Sequence, residues 1–156
     1  MKLSRASTYA FYGLAYIAAQ EKDRFVPLSE IHAHRGVPEK HLAKIFQSLV
    51  RAGVLMSARG VRGGFRLARP ANEVSALDVI QAVEGPVAAS GCLLLVEACD
   101  RDTACRINDI WRRAQGRMLE ELRTATLVDM MGTNDEDFSP PVALSVRKPP
   151  PYAAGN

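Results

Sequence analysis

Residues 38–68 read PEKHLAKIFQSLVRAGVLMSARGVRGGFRLA. Leu42, Ile45, Phe46, Leu49 and Val50 recur at helical spacing, which predicts an amphipathic helix over residues 38–52. Pro38 suits a first helical turn, and Gly53 stops the helix. The face away from the apolar stripe carries Glu39, Lys40, His41, Lys44, Gln47, Ser48 and Arg51, polar and mostly basic. Val54-Leu55-Met56-Ser57 then reads as a strand, residues 59–64 as a tight turn, and Phe65-Arg66-Leu67-Ala68 as a returning strand. The hairpin tip holds Arg59, Gly60, Arg62, Gly63 and Gly64. Glycine admits positive φ and lets a backbone come close to a phosphate. Arginine suits a narrow, electronegative groove.

Upstream, Ser29 is the expected N-cap of a short helix over residues 30–35, ended by Gly36, with Val37 as a buried spacer. Two helices joined by a tight glycine-containing turn make a helix-turn-helix, and the hairpin makes it winged. Before it, residues 4–20 are rich in Ala and place Leu3, Ala10, Leu14 and Ile17 at helical spacing. Pro27 forces an extended lead-in at Phe25-Val26.

Downstream, Ser75 caps a helix over residues 75–85, with Leu77, Val79, Ile80 and Val83 on its apolar side. Residues 86–105 form a loop. One long helix is expected from Ile107 to about Met131, with a narrow stripe at Ile107, Ile110, Trp111, Ala114, Met118, Leu122 and Ala125. Such a stripe on a small domain most simply pairs with its own copy. Residues 132–156 hold five of the nine prolines and an Asp135-Glu136-Asp137 run, and are expected to be a disordered tail. The expected fold class is mainly α with a small β-hairpin wing, a winged helix-turn-helix plus a long dimerisation helix. The DNA-binding part would span residues 1–70, the loop and dimerisation helices 71–131, and the tail 132–156.

At 156 residues, 47% hydrophobic and 24% charged, the chain is long enough for one ordinary core. No apolar run reaches the roughly 20 residues of a membrane span, and Met1-Lys2-Leu3-Ser4-Arg5 lacks a signal peptide's apolar block, so a cytoplasmic protein is expected. The net charge of +3 hides a basic half, +8 over residues 1–70, and an acidic half, −5 over residues 71–156. That asymmetry fits a nucleic-acid module joined to something else. No phosphate loop opens a helix after a strand, and no His–carboxylate or Cys–His arrangement supports catalysis, so an enzyme is not expected. A helical protein-interaction scaffold is the alternative from another class.

All three cysteines, Cys92, Cys99 and Cys105, fall in the loop, six and five residues apart. Neither gap is the two-residue spacing of a zinc knuckle. Wider gaps suit a segment wrapped around an iron–sulfur cluster, while a structural zinc or a thiol–disulfide switch stays open. Nearby oxygen donors are Glu97, Asp100, Asp102 and Asp109, whereas His32, His34 and His41 all lie in the helix-turn-helix.

With these residues in view, the opening MKLSRASTYA, the helix pair ending at VRAGVL, the wing SARGVRGGFRLA, the AVEGP turn and the cysteines resemble the Rrf-two (Rrf2) family of bacterial transcription regulators over roughly residues 1–131. The resemblance implies a homodimeric DNA-binding repressor or activator with a 2Fe–2S or 4Fe–4S cluster in each subunit. Carried over by position, the recognition helix is residues 38–52, with Lys40, His41, Lys44 and Gln47 toward the major groove. The wing contacts fall on Arg59, Gly60, Arg62, Gly63 and Gly64, and the cluster ligands on Cys92, Cys99 and Cys105. Asn108 stands where the IscR-like branch has His, and Thr8 where the NsrR-like branch can have an acidic residue, so the fourth ligand is open.

Overall fold

The computed structural model describes residues 3–60, 62–87 and 106–131. Helix α1 (Arg5–Ala18) is capped by Ser4, whose side chain accepts from the Ser7 N–H. It buries Ala10, Phe11, Leu14, Ala15 and Ile17. Gly13 lets α3 come close, because a Cβ there would sit 2.5 Å from Cζ of Phe46.

Helix α2 (Leu28–Arg35) begins earlier than expected. Its cap is Pro27 rather than Ser29, with φ −71° and ψ 150°. The Pro27 carbonyl accepts from the N–H groups of Glu30 and Ile31 at 3.1 and 3.4 Å. Proline's fixed φ pre-sets the entry, so Ser29 is left inside the first turn. Gly36 ends α2 in the left-handed region (φ 64°), where its N–H reaches the His32 carbonyl at 2.8 Å.

Helix α3 (Glu39–Arg51) is capped by Pro38, so it begins one position after the expected start. It buries Leu42, Ile45, Phe46 and Leu49 against α1, α2, α4 and the hairpin. Each such side chain removed from water contributes about 1.5–3 kcal/mol. Strands β1 (Leu55–Ala58) and β2 (Gly64–Leu67) pair antiparallel, with Leu55 opposite Leu67 and Ala58 opposite Gly64. Val26 joins β2 as a third partner, exchanging hydrogen bonds with Phe65 at 2.8 and 2.9 Å. Phe65 meets Phe46 edge-on, with centroids 5.1 Å apart, and so fastens the wing to α3.

A single 3-10 turn (Ala71–Glu73) leads to α4 (Ala76–Glu84). Ser75 and Asp78 cap each other's backbone N–H groups, both at 3.1 Å. Val74, Val79 and Ile80 share the core with the first three helices.

The expected single helix over 107–131 is two, α5 (Arg106–Thr124) and α6 (Leu127–Met131). Thr126 pairs as an isolated bridge with Ser75. The Ala76 N–H donates to Ala125 at 2.8 Å, and the Leu127 N–H to Val74 at 2.7 Å. Thr126 then caps α6: its hydroxyl accepts from the Asp129 N–H at 3.4 Å, while its own N–H and hydroxyl donate to the Asp129 carboxylate at 2.8 and 2.6 Å. Those bonds compete with helix continuation at residues 125–126 and send Leu127 into the core, 1% exposed. No described helix is long and apolar enough to cross a membrane.

Candidate nucleic-acid interface

The buried stripe of α3 fixes which side chains face outward. Lys40, His41, Lys44, Gln47 and Arg51 are all exposed. So are Arg59, Gly60 and Arg62 of the wing. Among the described residues, none of Lys40, Lys44, Arg59 and Arg62 takes part in an ion pair. Their charges are unmatched within the described chain, which leaves them for an anionic partner.

Helix and wing share one groove. Glu39, Gln47, Val50 and Arg51 of α3 line one side, and Ser57, Arg59, Gly60 and Gly63 line the other. Arg51 donates to the Ser48 hydroxyl at 2.9 Å and so lies along the helix. The wing glycines have different tasks. Gly60 (φ 106°) holds a positive φ in open space. Gly63 and Gly64 are half-buried, and a Cβ on Gly63 would run into the Ala58 carbonyl, one on Gly64 into that of Val26. Their bareness serves packing of the hairpin on its own chain. Arg66 fixes the base of the wing through an ion pair with Asp23 and by lying over the Phe25 ring, 5.2 Å from its centroid.

His41 is turned toward α1. Its ring is near-parallel to Tyr9 of α1, with planes 15° apart and centroids separated by 6.3 Å. A second groove runs here, lined by Arg5, Ala6 and Tyr9 of α1 and by His41, Lys44, Ile45 and Ser48 of α3. Sequence reasoning missed Arg5 and Tyr9, although the basic opening Lys2-Leu3-Ser4-Arg5 was a usable signal.

Also at the start of α1, Glu84 of α4 accepts from the Ser7 hydroxyl at 2.5 Å and from the Ser4 N–H at 2.8 Å. The Ser7 hydroxyl and then the Ser4 N–H hold the Glu84 carboxyl below the usual carboxylate range. Gly85 and Pro86 follow, then Val87, the last described residue before the cysteine segment. Cys92, Cys99 and Cys105 lie outside the described residues. Among the described residues, no group of His, Cys, Asp and Glu side chains is placed to hold a metal ion.

A helix pair backed by a three-way core and followed by a hairpin defines a winged helix-turn-helix protein. Residues 3–133 match the family model Rrf2, described as iron-dependent transcriptional regulator, and the chain belongs to that family. Its function is therefore transcription regulation. Among solved structures it is similar to CymR, the global cysteine regulator of B. subtilis, at 24% identity and TM-score 0.74, over 86% of this chain and 99% of that one. It is also similar to the oxidized form of Staphylococcus aureus CymR, at 25% identity and TM-score 0.65, over 86% and 99%. IscR of T. potens matches at 24% identity and TM-score 0.65, over 84% and 86%.

Proposed function

We propose that the chain is a homodimeric, sequence-specific DNA-binding regulator whose affinity for its operator is controlled by an iron–sulfur cluster (2Fe–2S or 4Fe–4S) on Cys92, Cys99 and Cys105. The observation that carries the DNA half is the shared groove, which sets Gln47 and Arg51 of the helix opposite Arg59 and Gly60 of the wing. Lys40, Lys44 and Gln47 enter the major groove with His41 at their flank, and Arg59 and Arg62 reach the adjoining minor groove or backbone. Gly60, Gly63 and Gly64 give the wing the tight shape that brings both arginines to the duplex. Two such modules read a roughly palindromic site with half-sites about one or two helical turns apart.

The donor chemistry supports the cluster half: three thiolates in one segment, with no histidine there, match a soft iron–sulfur centre. Such a centre supplies redox-active and ligand-exchangeable chemistry. The chain's contribution is position. The cysteine segment runs from the end of α4 to the start of α5, and α4 ends on Glu84, which is tied to α1. A change in that segment therefore acts where the DNA-facing core and α5 join. A thiol–disulfide switch on the same cysteines is the second reading, favoured by the likeness to oxidized CymR.

Anaerobic purification followed by the visible spectrum, iron, zinc and acid-labile sulfide tests the pair. Absorbance between about 320 and 460 nm with matching iron and sulfide supports the cluster. A colourless, sulfide-free protein after attempted reconstitution sinks it. Cys99→Ala removes the cluster and changes DNA affinity as a consequence. Arg59→Ala costs about 1–3 kcal/mol of DNA binding with cluster content unchanged; intact affinity in that variant means the wing assignment is wrong.

A further inference from the structure

The groove between the start of α1 and α3 holds chemistry that the base-facing line and the wing leave unused. Its rim is Arg5 with His41, Lys44 and Ser48, and its floor includes Ala6, Ile45 and Val83. At about 100° per residue, Lys40, Lys44, Gln47 and Arg51 fall within about 60° of one another, opposite the buried stripe. Ser48 and His41 are turned toward α1 by about 70° and about 90° from the centre of that line. The Tyr9 ring beside His41 confirms the direction. An imidazole backed by an α1 ring sits at the edge of the recognition helix, away from the side chains that project along its crest.

Charge at the groove is one-signed. Among the described residues, no carboxylate forms an ion pair with Arg5, His41 or Lys44. The nearest acidic group along α4, Glu84, is taken up by the Ser7 hydroxyl and the Ser4 N–H. Arg5 and Lys44 belong to different helices that the core holds together, so their spacing is fixed by packing. The groove is also continuous with the α3 face, because Lys44 borders both.

We propose that this groove seats a backbone phosphate of the DNA, with Arg5 and Lys44 supplying charge and Ser48 and His41 donating hydrogen bonds. His41 is then a positioning contact rather than a base reader. The proposal deepens the DNA-binding reading above and rests on it. Phosphate contacts fix register on the duplex but carry no sequence information. Base contacts do the reverse. The two roles of His41 therefore separate by experiment.

The test uses the full chain, prepared anaerobically, with two duplexes: one selected by the protein from a random library and one of mixed sequence. Affinities are measured over a salt series. Arg5→Gln is expected to weaken binding to both duplexes by a similar factor, about tenfold. The slope of log affinity against log salt becomes shallower by about 0.9 for each phosphate no longer neutralised, about 1.8 for a symmetric dimer. His41→Ala lowers both affinities by a common factor and leaves their ratio unchanged. Arg112→Gln, an exposed charge on α5, is the control for net charge and changes neither slope nor ratio. Loss confined to the selected duplex in His41→Ala makes it a base reader and overturns the proposal. Arg5→Gln indistinguishable from Arg112→Gln also overturns it. A wild-type chain that binds neither duplex at low salt sinks the DNA-binding reading itself, a different result from either.

Discussion

Helix α3, 13 residues long, buries Leu42, Ile45, Phe46 and Leu49 within its own chain. Helix α5, 19 residues long, buries no side chain among the described residues, although its apolar stripe is just as regular. Ile107 and Ile110 are 42% and 57% exposed. Below them, Trp111, Ala114, Met118 and Leu119 line an open cleft with Ile80, Pro86 and Val87. Periodicity identifies an apolar face but not what covers it. For α3 the cover is α1, α2, α4 and the hairpin. For α5 the proposed homodimer is the cover, since exposed isoleucines on one stripe gain most from a second copy.

Truncation in α3 gives the largest effect. Phe46 is fully buried, touches Phe65 edge-on and lies against Gly13. Phe46→Ala is expected to cost about 3–5 kcal/mol, enough to unfold much of the protein in a denaturant titration. A loss below about 1 kcal/mol places Phe46 outside the cooperative core and breaks the contrast.

The α5 stripe behaves otherwise. Ile110→Lys is expected to leave the fold of the single chain intact by circular dichroism while converting dimer to monomer in sedimentation. The interface loses about 2 kcal/mol or more. Duplex binding weakens with it, because two half-sites are no longer engaged together. If the variant instead unfolds like Phe46→Ala, the stripe is packed inside its own chain and the comparison fails.

The same contrast explains which parts the sequence reveals. Leu42, Ile45, Phe46 and Leu49 are legible because burial, period, the start at Pro38 and the stop at Gly53 agree. The Ser75 cap is legible because its partner Asp78 is only three residues away. The break after α5 is not, even though Thr126-x-x-Asp129 repeats that signature. The apolar stripe runs through it to Ala125, and the extended pairing of Thr126 with Ser75 is a long-range contact that no window registers. Ser29 misleads for a related reason: a good capping side chain loses to the fixed φ of Pro27. At the candidate interface, Lys40, Lys44, Gln47, Arg59 and Arg62 stand on exposed positions as patterning suggested. Arg5 and Tyr9 join His41 only because α1 packs across α3.

Thr126→Ala sharpens the division between α5 and the core. It removes the hydroxyl that caps α6 and is expected to cost about 1 kcal/mol. The loss shows as faster amide exchange over residues 127–131, with exchange in the rest of α5 little changed. Uniform exchange across both helices in wild type and variant alike means one continuous unit, and the break has no energetic meaning.

The smallest effect is a pH dependence at the join between the two regions. Ser7 is 0% exposed, and its hydroxyl donates to Glu84, the last side chain of α4 before Gly85-Pro86. That bond and the Ser4 N–H hold the Glu84 carboxyl below its usual value of about 4.3. A depressed folded-state pKa contributes stability above the unfolded value, and that contribution drains away as pH falls through the folded one. The chain therefore loses stability between about pH 5 and the lower folded pKa. Ser7→Ala lets the Glu84 pKa rise toward its unfolded value, so the acid-side slope flattens. Solvent screening of this surface carboxylate keeps the change small. Carboxyl NMR titration of Glu84 gives the readout. A Glu84 midpoint that does not move in Ser7→Ala means that the Ser7 hydroxyl does not hold the carboxylate, and the Ser4 N–H is then what ties the end of α4 to the start of α1.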